Sequence, residues 1–183
     1  MKVLSERISV LKKENLLSIV ILANSSKSKL GMMFLWLFAR TLCGLVVLFN
    51  YFSTVNQDVK LVIIVYLSFW LYFEYKIVKA FVWKKFGAEK IWLQDGQLNY
   101  QREINKKGKI YSFDINLIDE IKIIEIKNTS WADNINQSFW IKGGERISFQ
   151  HQGKTVFMAM QIEDNYAYQL VGELKQYINK ENK

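Results

Sequence analysis

The chain has no proline, one cysteine and one histidine, and each scarcity removes a class of protein. A single cysteine cannot make a disulfide framework. A Cys/His zinc site cannot be assembled from Cys43 and His151. A histidine-based triad would rest on His151 alone. Collagen-like, proline-rich and low-complexity readings fail for the same compositional reason. Motifs that carry chemistry are as scarce. Gly143-Gly144 is too short to cradle a phosphate and reads as a turn. No serine nucleophile elbow occurs. His151 lies beside a hairpin turn and reads as an exposed imidazole. Asp119-Glu120 and Glu163-Asp164 are adjacent acids, one bordering a strand and one opening a helix. Two acids without a pocket make neither a glycosidase nor a metal site. Cys43 falls inside an apolar run and reads as a small packing residue. The sequence therefore assigns no catalytic residue, no metal ligand and no cofactor.

Apolar and basic residues are plentiful. Half of the 183 residues are apolar, 15% are aromatic, and the formal charge is +8. The length suits one folded domain with appendages. Leu30 to Phe52 carries one charge, Arg40, and Val59 to Val82 is almost uncharged in its first half apart from Lys60. A helix rises about 1.5 Å per residue, so about 20 apolar residues cross a hydrocarbon core of about 30 Å. Both runs reach that length. The competing reading, two core helices of a soluble protein, leaves too little chain to surround them. A cleaved signal peptide is not expected, because the first run begins near residue 30 without a small-residue cleavage pattern.

The expected organisation is a segment 1–29, a first transmembrane helix 30–52, a short external loop 53–58, a second helix 59–83 and a polar domain 84–183. So short a loop forces a hairpin with both flanking segments on one side. Lys27 and Lys29 precede the first span, and Lys76, Lys79, Lys84 and Lys85 close the second. The loop region offers only Asp58 and Lys60. Lysine and arginine near span ends mark the cytoplasmic face, so both flanking segments are expected there. Residues 1–29 hold six basic and two acidic side chains. A basic balance that hugs the membrane suits anionic headgroups, and no basic–aromatic stripe for nucleic acid is seen. Trp36, Tyr51, Tyr75 and Trp83 fit lipid-facing or interfacial positions.

Arg40 and Glu74 stand out, because unpaired charge within a membrane costs several kcal/mol. At the helical rise Arg40 lies roughly 15 Å, and Glu74 roughly 13–14 Å, from the same face. Three arrangements fit: pairing across the hairpin, pairing with a partner subunit, or separate snorkelling toward headgroups.

The polar segments read as strands. Ile8–Leu11 and Leu17–Leu22 flank a short polar turn, with an interfacial amphipathic helix as the competing reading of residues 3–22. Asp95-Gly96 between alternating runs is a hairpin signal, since both residues tolerate positive φ. Asn105–Lys109 is a second turn. Ile118, Ile121, Ile123 and Ile126 suggest one long strand with a bulge at Ile124. Asn128–Ser138 reads as a loop, and strands follow at Phe139–Lys142, Arg146–Phe149 and Thr155–Met158. Ala167, Leu170, Val171, Leu174, Tyr177 and Ile178 then share one helical face. Short strands closed by one amphipathic helix imply a curved sheet or partial barrel with the helix plugging its open side.

That order resembles the pleckstrin-homology (PH)-like plan. More specifically, the chain resembles uncharacterised bacterial two-span membrane proteins with a C-terminal bacterial PH-like domain. The matching stretches are Ser18–Ile21, Lys27–Lys29 leading into Phe34–Phe38, Phe69–Leu71, Trp83–Gly87, Arg146–Phe149, Gly153–Phe157 and the last helix. Photosystem I assembly proteins have a similar order and length, but their own motifs are absent. The resemblance implies a membrane α+β protein of the bacterial inner membrane. It also implies that the N-terminal strands return to the C-terminal sheet, which periodicity cannot show.

The function expected is a non-enzymatic, membrane-anchored interaction or assembly module whose partners are the lipid bilayer and a membrane protein or second copy. A first alternative is a sensor of anionic headgroups, with Lys106, Lys107 and Lys109 on a turn where Gly108 lets a phosphate approach the backbone. A second is an enzyme with an inter-subunit site. Charged hairpin turns are ordinary, so a merely solvated turn is the bland reading of the lysines.

Overall fold

The structure is a computed structural model and describes residues 2–23, 26–124 and 144–181. The chain forms two compact units, one of two long helices and one of strands drawn from both sides of them.

In the helical unit, α1 spans Lys27–Ser53 and α2 spans Gln57–Phe86. Both run past the apolar limits expected at 30–52 and 59–83. Backbone hydrogen bonding does not stop where apolar side chains do, and lysine stems tolerate a helix. Ser26 caps α1, its hydroxyl accepting from the Lys29 amide at 3.4 Å. Asn56 starts α2, its Oδ1 accepting from the Asp58 amide at 2.9 Å. Each helix is long and apolar enough to cross a membrane. Met33, Ile77 and Ala80 are buried together, with Leu37 and Phe81 against them.

The strand unit opens with β1 (Lys2–Ser5), β2 (Ile8–Lys13) and β3 (Leu16–Leu22). Residues 3–22 are therefore strands and two turns rather than an interfacial helix, and β1 adds to the expected pair. It is four residues long, too short to show a period. Directly after α2 come β4 (Gly87–Gln94), β5 (Gln97–Ile104) and β6 (Ile110–Asp114). These six strands form one antiparallel sheet in chain order. Its centre is the pairing of β3 with β4, from Leu17 opposite Leu93 to Leu22 opposite Ala88. The helical hairpin is thus an excursion between two neighbouring strands.

A 3-10 turn (Ile115–Leu117) leads to a second antiparallel sheet of β7 (Ile118–Ile123), β8 (Glu145–His151) and β9 (Lys154–Met160). An irregularity in β7 falls between Ile118 and Ile121, beside the 3-10 turn, and the continuation of this strand expected beyond Ile124 to Ile126 lies outside the described residues. The loop and strand expected within 128–142 lie outside the described residues. Helix α3 (Asp164–Glu181) closes the unit. Its expected apolar face is buried, with Ala167, Leu170 and Leu174 fully enclosed. Ile19, Ile91, Leu98, Phe149 and Met158 join them in one core spanning both sheets. Each such large apolar side chain contributes about 1.5–3 kcal/mol of burial.

Candidate functional site

Two groups of charged residues singled out by the sequence can now be placed. The first lies within the helical unit. Arg40 Nε is 3.2 Å from Glu74 Oε2, and the side chains are only 24% and 12% exposed. Of the three arrangements open to the sequence, the structure shows the pairing across the hairpin. Around the pair is a set of contacts. Thr41 Oγ1 lies 2.6 Å from Glu74 Oε1 and 2.9 Å from the Leu37 carbonyl, so its one proton is shared between two acceptors. Trp70 Nε1 donates to the Arg40 carbonyl at 3.3 Å. The guanidinium carbon sits 5.4 Å from the Trp36 ring centroid and 5.8 Å from that of Phe73, so two π faces flank the cation. Gly44 is one turn beyond Arg40, and any Cβ there would overlap the Trp70 indole. Glycine at this position is what lets the indole lie against α1.

The second group is the lysine turn. Asn105 and Lys106 have φ of 51° and 64°, and Ile104 bridges Lys107 through hydrogen bonds of 2.9 and 3.0 Å. This is a tight two-residue hairpin turn of the left-handed kind. Lys106, Lys107 and Lys109 are exposed. Gly108 packs closely on β5. A Cβ there would overlap the Arg102 carbonyl oxygen, and the Gly108 carbonyl accepts from Gln101 Nε2 at 2.9 Å. The glycine closes the chain onto β5.

Sequence reasoning missed a third group, a buried network joining the two sheets. Glu89 on β4 is 1% exposed. Its Oε1 accepts from Arg102 Nε at 2.8 Å and from the Tyr100 hydroxyl at 3.0 Å, and its Oε2 accepts from the Met160 amide at 3.0 Å. Arg102 Nη2 continues to Glu145 Oε1 at 3.0 Å and to the Phe157 carbonyl at 3.2 Å. Burial, reinforced by the Glu89 carboxylate, pushes the Tyr100 hydroxyl well above the usual tyrosine range. Burial opposes the charge on Arg102, but Glu89, Tyr100 and Glu145 outweigh it and raise its pKa. None of the network's buried side-chain atoms lacks a hydrogen-bond partner, and the network can clamp β4 and β5 to β8 and β9. A signal existed: counting outward from Asp95-Gly96 sets Glu89 opposite Arg102.

The remaining candidates are dispersed. His151 is half-buried, its ring 5.2 Å from that of Phe113. Glu120 pairs with Lys122 on the surface at 2.8 Å. Asp164 opens α3 and meets the buried Arg146. Cys43 is exposed on α1 instead of packed within the protein. Trp36 and Tyr75 face outward as expected, whereas Trp83 is buried. Among the described residues, no three His, Cys, Asp or Glu side chains are grouped to hold a metal. No protein-family model, no curated protein and no solved structure matches the chain.

Proposed function

We propose that the chain is a membrane-anchored, PH-like interaction or assembly module without catalytic activity, its two long helices inserted as a hairpin and its strand unit held at the cytoplasmic face. The observation that carries this reading is the exposure of apolar side chains around both helices. Phe34, Leu35, Phe38, Val46 and Phe49 on α1, and Leu61, Val62, Phe69, Leu71 and Phe73 on α2, are all exposed. Only 11% and 6% of the most apolar stretch of each helix is buried by the protein. A helix that is apolar all round needs a core or a bilayer to cover it. Among the described residues no such core covers these side chains, which supports lipid as their solvent.

The sheet supports the side assignment independently of charge. β3 precedes the hairpin and β4 follows it, and they pair over six residues. Both ends of the hairpin must then emerge on one side. The lysines at those ends make that side cytoplasmic. An exposed outer strand such as β6, with Ile110 and Tyr111 open to solvent, is the kind of edge on which a partner peptide can add a strand.

Flotation on zwitterionic vesicles after an alkaline wash tests the reading. The full chain should float and resist the wash. A chain that stays monodisperse in buffer without detergent would refute the anchoring.

A further inference from the structure

Within the strand unit, the turn between β1 and β2 meets the start of α3. Arg7, in that turn, donates from Nε to the Leu22 carbonyl at 2.9 Å and from Nη1 to the Gln161 carbonyl at 3.2 Å, 154 residues further along the chain. Gln161 has a left-handed backbone, with φ of 50°, and stands just ahead of α3. Between the two segments is an open cleft of about 290 Å³. Ile8, Ile162 and Tyr166 give it apolar walls, and Glu6, Arg7 and Glu163 give it charge.

These three charges face one cleft without pairing. Among the described residues no carboxylate lies within ion-pair distance of Arg7, and no cation lies within that distance of Glu6 or Glu163. Arg7 Nη2 has no protein acceptor. Burial opposes the charge on Arg7 more than Glu163 and Glu89 favour it, so its pKa is lowered, and a carboxylate placed in the cleft would act in the opposite sense. Asp164, the next acid, is engaged elsewhere. It meets Arg146, which is 4% exposed and whose Nε and Nη1 are enclosed without an acceptor. The Ala167 amide donates to the Glu163 carbonyl, so the amides of residues 164–166 precede the first bond within α3 and form its positive end. A plain anion in the cleft would be repelled by Glu6 and Glu163, and a plain cation by Arg7. A ligand that carries both charges satisfies all three.

We propose that this cleft binds a free α-amino acid with an apolar side chain. Its carboxylate lies on Arg7 and the start of α3, its ammonium group on Glu163 and Glu6, and its side chain against Ile8, Ile162 and Tyr166. Every residue of the site belongs to the strand unit. The interaction module thereby gains a soluble ligand, whatever solvent covers the helices.

The test is calorimetric titration of the full chain in mild detergent with L-leucine, L-methionine and L-phenylalanine, each compared with its own deaminated acid and its own decarboxylated amine. At least one amino acid should bind saturably, and loss of either charge should weaken it about tenfold, the scale of one hydrogen bond to a charged group. Arg7→Gln and Glu163→Gln should each weaken the amino acid about tenfold, while Glu163→Gln leaves the deaminated acid unchanged. Glu163 is exposed, so this second variant keeps the fold and decides the matter if Arg7→Gln does not fold. Saturable binding by none of the three overturns the proposal. So does an amino acid that binds no better than its deaminated acid, or one whose binding Glu163→Gln leaves untouched.

Discussion

At the scale of single residues, the charged pair inside the hairpin is the most consequential feature. Removing one member of a buried ion pair leaves the other unpaired, at a cost of about 3–5 kcal/mol. Arg40→Leu and Glu74→Leu should each lower the yield of folded chain in mild detergent. The exchange Arg40→Glu with Glu74→Arg should recover part of it, short of the parent because the cation would leave the Trp36 and Phe73 faces. Singles that behave like the parent would show the pair to be idle. Gly44 gives a steric counterpart. Gly44→Leu should reduce the yield, and Trp70→Ala in the same chain should restore part of it. Tyr100 offers a pH test. Its hydroxyl ionises with more difficulty folded than unfolded, so the stability it adds is complete below about pH 10 and is lost as pH rises beyond. Tyr100→Phe should cost about 1.5–3 kcal/mol at neutral pH, the range for a hydrogen bond to a charged group. That difference from the parent should narrow in melts above about pH 10.

At the scale of elements, β3 and β4 bind together two stretches that the helices hold apart in the sequence. Ile19 is fully buried opposite Ile91, so Ile19→Ala should cost about 2–5 kcal/mol in denaturant melts of the whole chain. Proteolysis should then cut downstream strands as well as upstream ones. This is also where legibility in the sequence ends. Asp95-Gly96 was readable because two adjacent residues determine that turn. Helix α3 was readable because its apolar face repeats over about three turns. The β3–β4 pairing was not, because its partners are separated by both long helices and no local period reports a distant neighbour. β1 offered four residues and no pattern. The Glu89 network needed the register of β4 on β5 together with β8 and β9, and only the first of these can be counted from a turn. Arg40 and Glu74 were readable as a matched pair by depth alone, but whether they meet within one chain was a question of helix rotation, which depth does not settle.

At the scale of the whole molecule, one strand unit is interrupted by a pair of long apolar helices. The strands before the hairpin must wait for those after it, so the sheet closes only when both spans have been made. On the proposed anchoring, that order ties folding of the strand unit to insertion of the helices and requires a single side for both ends of the hairpin. The central claim is this topology, and thiol labelling tests it most directly. In a Cys43→Ser background, Val55→Cys places a thiol in the connecting loop, where Val55 is 89% exposed, and Lys154→Cys places one on the turn between β8 and β9. A membrane-impermeant reagent added to intact spheroplasts should label the loop cysteine at once and the turn cysteine only after lysis. Labelling of Val55→Cys no faster than Lys154→Cys before lysis would contradict the account.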